Sequence, residues 1–348
     1  MSFLRCDLPY PSPEFTQERW PWIGGDLQTL RNNFVHDAPQ LPQGEDQHIP
    51  LDDGDRLLVC LHKTSQPRKG AIILIHGLAG DYDSSYIRHL ARGALQVGYD
   101  VFRVNLRGAG KGRALATSSY HAGRALDLQK VAIHVKERYL DKPVYLCAFS
   151  LGGTMAVNLA ARYKIDHLLA GIVCFCAPLD MLACSHEFHK PRNWLYVRHF
   201  TKALIAQASA GPAPKVESGA PIDMRQVKAS RTVRDFDHYF TCKVAGFESA
   251  DAYYKGTTPL AELTHITVPT LLVHSDNDPW IPVVAYEKIN HHDNLFCVIT
   301  RGGGHMGFHM TGNNKGCWQT QTTLAFISWL SSRKFHDGYH VWHHISVS

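Results

Sequence analysis

Ser150, Asp278 and His305 are residues whose types could do chemistry together, although they lie far apart in the chain. A serine hydroxyl is a weak nucleophile until a base takes its proton. Histidine can serve as that base, and a carboxylate behind it fixes its tautomer and orientation. The order serine, aspartate, histidine is the one expected when such a trio is mounted on the strand ends of one sheet. Asp278 is preferred to Asp276 because it begins Asp278-Pro279-Trp280-Ile281-Pro282, an Asp-Pro-x-x-Pro pattern opening the next helix; Asp276 then reads as a turn or cap residue. Each residue also has a plainer reading. A serine between small residues is often a helix N-cap, and a histidine after glycines is often structural.

Positioning them requires particular elements. In PVYLCAFSLGGT (143–154) an apolar run reads as a buried strand, breaks at Ala148-Phe149-Ser150-Leu151-Gly152, and resumes in the helix-prone MAVNLAARYK. Strand, sharp turn and helix with a serine at the apex form a nucleophile elbow. Its tightness demands small residues on either side of the serine. The usual leading glycine is Ala148 here. A second strand, AIILI, ends in His76-Gly77-Leu78-Ala79-Gly80, a turn able to offer backbone N–H groups to a developing oxyanion. The Leu78 N–H and the Leu151 N–H would form that hole. His76, Gly77, Phe149, Asn105 and Arg107 are candidates for the substrate pocket, with loop-holding hydrogen bonds as the favoured role for Asn105 and Arg107.

Strand and helix patterns alternate from residue 51 to about 180, then return from 263 to the end; this implies an α/β fold with a mostly parallel, doubly wound sheet. Residues 181–262 are polar and helical with aromatic punctuation, and read as a helical cap inserted into the core. Residues 1–50, rich in Pro and Trp, read as an ordered arm packed on that core. Within the cap, GPAPKVESGAP reads as a flexible loop.

Composition narrows the function classes. With 348 residues, 45% hydrophobic and 19% charged, the chain can bury a large core. A net charge of +5 without a dense Lys/Arg block gives no nucleic-acid footprint. Nine cysteines, an odd count without a spaced framework, suit a reducing compartment. No leader-like apolar run and no stretch approaching the roughly 20 residues of a membrane span is found, so the expectation is a cytoplasmic protein without integral membrane contact. The tail HDGYHVWHH reads as a polar, metal-sticky end.

With these motifs in hand, the chain resembles the α/β-hydrolase superfamily. More narrowly it is similar to the YheT-like branch, which includes plant embryogenesis-associated proteins and yeast medium-chain ethyl-ester synthases. The matching segments are GGDLQTL, HGLAGDYDSSYIRHLA, NLRGAGKG, YHAGRALDL, AFSLGG, VRDFDHYFTCKVAGF, DAYY, SDNDPWIP and GGGHMGF, which span most of the chain. The resemblance implies a hydrolase core with a helical cap and a triad of Ser150, Asp278 and His305. It also implies hydrolysis of small-molecule carboxylic esters with short- to medium-chain acyl groups, without metal or cofactor. Ala148, Asp26 (histidine in the family) and Thr154 (asparagine in the family) depart from its pattern. Two other functions compete: transfer of the acyl group to an alcohol, governed by how well the cap excludes water, and ligand binding on a hydrolase fold without turnover.

Other residues carry mainly structural expectations. Arg234, Asp235 and Asp237 read as a cap-to-core network or a hinge. His186 and His189 in HEFHK lack an evident third metal ligand. Trp194, Tyr196, Phe200, Tyr239 and Phe240 are packing or acyl-pocket residues, and His309 follows His305 by four positions.

Overall fold

The computed structural model describes residues 2–17, 20–212, 216, 221–290, 292–311 and 317–336. The loop 211–221 and the tail after 336 fall largely outside the described residues, as do the expectations attached to them. The strands are β1 (Phe3–Cys6), β2 (Glu45–Pro50), β3 (Arg56–His62), β4 (Gly70–Ile75), β5 (Tyr99–Asn105), β6 (Val144–Phe149), β7 (Gly171–Phe175), β8 (Thr270–Ser275) and β9 (Leu295–Thr300). They form one sheet in the order β1-β9-β8-β7-β6-β4-β5-β3-β2. Pairing is parallel from β9 through β5, and antiparallel where β1, β3 and β2 join. The continuous apolar runs of β4, β6 and β9 are buried along their whole length, as befits strands covered on both faces.

Helices α1 (Gly24–Phe34), α2 (Ser85–Gln96), α3 (Ala125–Arg138) and α4 (Leu151–Arg162) come first. Between β7 and β8 lie α5 (Met181–Phe188), α6 (Trp194–Ser209), α7 (Met224–Ala229), α8 (Val233–Phe236), α9 (Cys242–Val244) and α10 (Ala250–Thr257); α11 (Val284–Glu287) and α12 (Trp318–His336) follow. In α2, Ile87, Leu90, Ala91, Ala94 and Leu95 are buried, the stripe expected of a helix with one face on a sheet. α12 packs beside α2, while α3 packs against α4. The helices between β7 and β8 carry their own apolar cluster, centred on Leu204, Phe236 and Phe240, against which Leu78 of the core packs.

Two features depart from the sequence reading. Residues 1–50 hold β1 and β2, which join the outer edges of the sheet. β2 and β3 are the two strands expected on either side of the turn Asp52-Asp53-Gly54-Asp55, whereas β1 was not anticipated. The helix expected after Asp278-Pro279-Trp280-Ile281-Pro282 is only the short α11; Tyr286 is drawn inward, its hydroxyl donating to the Ala177 carbonyl at 2.7 Å and its ring stacking on His274 at 4.1 Å. All nine cysteines are free, eight of them buried. Among the described residues no helix is long and apolar enough to cross a membrane.

Candidate active site

Ser150 sits between β6 and α4 with φ 51° and ψ −124°, a strained conformation for a non-glycine residue. The close approach that imposes it is visible at Gly152, where a Cβ would collide with the His76 carbonyl, and at Gly153, where one would lie 2.9 Å from Ala177 Cβ. Ala148 is wholly buried in β6 and its methyl is accommodated.

His305 lies beyond β9, on a loop where Gly302, Gly303 and Gly304 have φ of 84°, 127° and 56°. The chain can make this bend because glycine lacks a Cβ. His305 Nε2 is 3.0 Å from Ser150 Oγ, and its Nδ1 is 2.8 Å from Asp278 Oδ2. Asp278 follows β8 and is fully buried; its Oδ1 accepts from the N–H groups of Trp280 at 2.9 Å and Ile281 at 3.1 Å. Burial pushes the Asp278 carboxyl up, but the charge and hydrogen bond of His305, with His274 and the Trp280 N–H, outweigh it and bring it below the usual range. A serine hydroxyl bonded to a histidine whose other nitrogen meets a buried carboxylate can pass its proton to that histidine as it attacks.

Gly77 lies against the serine: a Cβ there would be 2.8 Å from Ser150 Cβ. The following turn is pinned by tyrosines, with Gly77 N–H donating to Tyr86 Oη at 3.1 Å and Ala79 N–H to Tyr120 Oη at 2.7 Å. The intervening Leu78 N–H has no acceptor among the described residues. The Leu151 N–H opens a helix, where no intrahelical acceptor exists. Leu78, Leu151, Gly77, Ser150 and His305 all border one cavity of about 930 Å³ under the cap.

The other pocket candidates do not border it. His76 is fully buried; its Nε2 accepts from the Leu106 N–H at 3.1 Å, and burial lowers the imidazole to about 4. Phe149 stacks on Phe175, their ring centres 5.4 Å apart. Asn105 Oδ1 accepts from the Tyr82 N–H at 2.9 Å. Arg107 is locked in a carboxylate cluster: Asp127 takes it in bidentate fashion at 2.6 and 2.9 Å, Asp55 at 2.9 Å, and Asp53 completes the set. Asn105 and Arg107 thus hold loops. This is the role favoured for them from the sequence: their side chains turn toward neighbouring backbone and carboxylates.

Several further residues, lying in segments that carry the family resemblance but given no role there in the site, complete it. Gln28 of α1 is buried; its Oε1 accepts from the Gly303 N–H at 2.9 Å and from Asn277 Nδ2 at 3.1 Å, bridging the histidine and aspartate loops. Asn277 Oδ1 accepts from the Gly304 N–H at 2.8 Å, and Thr29 Oγ1 from the His305 N–H itself at 2.8 Å. Asp276 Oδ1 takes the Gly302 N–H at 2.7 Å. The Trp280 ring lies 4.3 Å from the His305 ring. Its place directly after Asp278-Pro279 was the available clue, as was the place of Gln28 in GGDLQTL, although its contacts, 249 and 275 residues away, could not be read from that segment.

In the cap, Tyr196, Phe200, Phe240 and Asp237 border the cavity, and Trp194 and Tyr239 do not. Asp235 serves a capping box with Thr232, while Arg234 pairs with Asp251 at 2.5 Å. His189 is committed to the Ser185 carbonyl at 2.6 Å and the Arg234 N–H at 3.3 Å. His309 is buried away from the cavity and lowered to about 3 by desolvation. Among the described residues the one cluster with metal-ligand spacing is Cys176, Asp278 and His305, two of which are already bonded to each other.

Comparison with known proteins agrees with this architecture. Human phospholipase ABHD3 is 27% identical over 333 residues, covering 92% of this chain and 78% of that protein. YheT of Escherichia coli (strain K12) is 27% identical over 278 residues, covering 75% and 78%. A soluble variant of the Saccharomyces cerevisiae monoglyceride lipase superposes with a TM-score of 0.56 at 14% identity, over 84% of this chain and 96% of that one, a likeness of fold. The family model described as the alpha/beta hydrolase fold matches residues 70–310, and the chain belongs to that family.

Proposed function

We propose that the protein is a serine hydrolase that cleaves carboxylic esters of short- to medium-chain acids through an acyl-enzyme. The observation that carries this reading is the hydrogen-bonded line Asp278–His305–Ser150, ending in a serine oxygen at a large, mostly apolar cavity. In this reading Ser150 Oγ attacks the ester carbonyl carbon while His305 Nε2 takes its proton. The carbonyl oxygen, now negative, accepts from the N–H groups of Leu78 and Leu151. His305 returns the proton to the leaving alcohol, and water repeats the sequence to free the acid. Asp278 stays ionised and stabilises the imidazolium. That the human relative is a phospholipase is compatible with such chemistry.

The test is hydrolysis of p-nitrophenyl esters from acetate to laurate by wild type and Ser150→Ala. A loss of at least about 10³-fold in kcat supports the reading. Equal rates in the two proteins would overturn it.

A further inference from the structure

We propose that the mouth of the cavity docks on an anionic lipid surface through an apolar rim formed by α1 and the start of α6. This rests on the ester-cleaving reading of Ser150 and deepens it: the ester is taken from a lipid layer.

The rim begins with a helix whose faces are reversed. A helix packed on a core normally turns its apolar stripe inward. In α1 the one buried residue is Gln28. The face it shares with Gly25 and Thr29 is held to the aspartate and histidine loops by hydrogen bonds and close backbone contact. Leu27, Leu30 and Phe34, spaced i, i+3 and i+7, fall within an arc of about 60° on the other side. Ile23, at the N-cap, lies one turn before Leu27. Ile23, Leu27 and Phe34 are 60%, 42% and 66% exposed, so the stripe faces solvent. Phe34 stacks on Trp22 of the same arm, ring centres 6.2 Å apart, which extends the apolar surface.

The stripe runs beside the cavity mouth. Leu30 borders the cavity, as do Asp26 and Asn33 of the same helix. Asp26 also meets the start of α6, through Arg192 at 2.6 Å and Tyr196 Oη at 3.2 Å. Trp194 and Leu195 stand there more than half exposed, and Leu195 also borders the cavity. A residue that lines a cavity and is open to solvent marks its mouth. Exposed apolar residues gathered in this way, rather than scattered, mark a surface for a partner or a membrane.

Two observations favour a lipid layer over a protein. A protein seated on this rim would lie over Leu30 and Leu195 and close the path to Ser150, whereas a lipid layer delivers an ester through it. Charge points the same way. Arg198, His199 and Lys202, all exposed, share the outer face of α6 with Leu195 at i+3, i+4 and i+7. Arg198 and Lys202 have no acid partner among the described residues. The acids of the adjoining segments are already paired: Asp26 with Arg192, Asp37 with Arg31 at 3.0 Å, and Glu187 with Lys190 at 2.7 Å. Spare positive charge beside exposed Trp and Leu side chains suits anionic headgroups.

The experiment measures cosedimentation of Ser150→Ala protein, which leaves lipids intact, with vesicles of phosphatidylcholine alone or mixed with an equal share of phosphatidylglycerol. Binding to the mixed vesicles is expected to be at least about 10-fold tighter. Leu27→Ser/Phe34→Ser, at residues that do not border the cavity, should weaken that binding by at least about 10-fold. Trp194→Ser, on the other side of the mouth, should weaken it by about 5-fold. Arg198→Gln/Lys202→Gln should remove most of the preference for the mixed vesicles. Thermal melts check folding; where the α1 variant does not fold, Trp194→Ser decides. No binding, equal binding to both kinds of vesicle, or full binding by the α1 and Trp194 variants would each overturn the proposal. So would a dimer in sedimentation velocity that Leu27→Ser/Phe34→Ser dissolves, since a second copy would then cover the face. Fluorophosphonate labelling of wild type separates the two readings. Vesicle binding without labelling sinks ester cleavage and keeps the docking face, whereas labelling without vesicle binding sinks the docking face alone.

Discussion

The cavity has two unlike walls. On one side α1 reaches the aspartate and histidine loops through buried hydrogen bonds of Gln28 and Thr29 to Asn277 and to the Gly303 and His305 N–H groups. On the other, the cap presents aromatic and aliphatic surface, and it meets α1 through Asp26, which pairs with Arg192 at 2.6 Å and accepts from Tyr196 Oη at 3.2 Å. The Asp26–Arg192 pair is about half exposed on both sides. Directional bonds to buried backbone fix atoms in place, because a donor left unsatisfied there is costly. Apolar contact tolerates sliding, and an exposed ion pair holds weakly. The arm therefore sets the geometry of the reacting groups, and the cap sets the shape of what they act on. The arm lies outside residues 70–310, the span that the family model matches, although its GGDLQTL segment is among those that carry the resemblance.

Substitutions can break that division, beginning with the strongest. In Gly25→Val the new side chain would strike the Asn277 carbonyl and push α1 off the aspartate loop. Misplacing catalytic groups by about 1 Å costs on the order of 100-fold, so kcat should fall that far while ligand binding to the cap persists. Gln28→Ala leaves the Gly303 N–H without its acceptor; kcat should drop about 10-fold with KM nearly constant, and stability by about 1–3 kcal/mol in denaturant titration. Gln28→Glu, which keeps an acceptor for both loops, should recover part of each loss.

On the cap side the effects concern binding and pH. The Asp237 carboxyl is raised to about 6 in the fold, from 3.8. Between those values the folded chain holds a proton that the unfolded chain has lost, so this contribution to stability is present at low pH and lost as pH rises through 6. Asp237→Asn does not titrate, and should be more stable than wild type by about 2–3 kcal/mol at pH 8, the gain vanishing toward pH 4. Melting curves at the two pH values check this. Smallest of all, Arg192→Ala should cost less than about 1 kcal/mol, shifting KM for longer acyl chains a few-fold with kcat nearly constant.

What could be read from the sequence follows the same division. Ser150, His305 and Asp278 each follow a strand whose apolar run and following turn are local patterns, so the elements that carry them were legible. The role of Gln28 was not: it lies in the matching segment GGDLQTL, but its partners are 249 and 275 residues away. Arg107 was legible only in part: a loop-holding role was the favoured reading, but its partners Asp53, Asp55 and Asp127 are assembled only by the fold. Asp237 was visible as one of three charged residues in VRDFD, but the sequence did not show which of them would face inward.

The central claim is that Ser150 is an activated nucleophile whose base is held in place from the arm. Labelling rate with a fluorescent fluorophosphonate tests it most directly, on wild type, Ser150→Ala and Gln28→Ala side by side. The account predicts rapid labelling of wild type, none of Ser150→Ala, and labelling of folded Gln28→Ala slowed by about the same factor as its kcat. Labelling that survives in Ser150→Ala, a folded wild type that does not label, or Gln28→Ala labelling at the wild-type rate would contradict it.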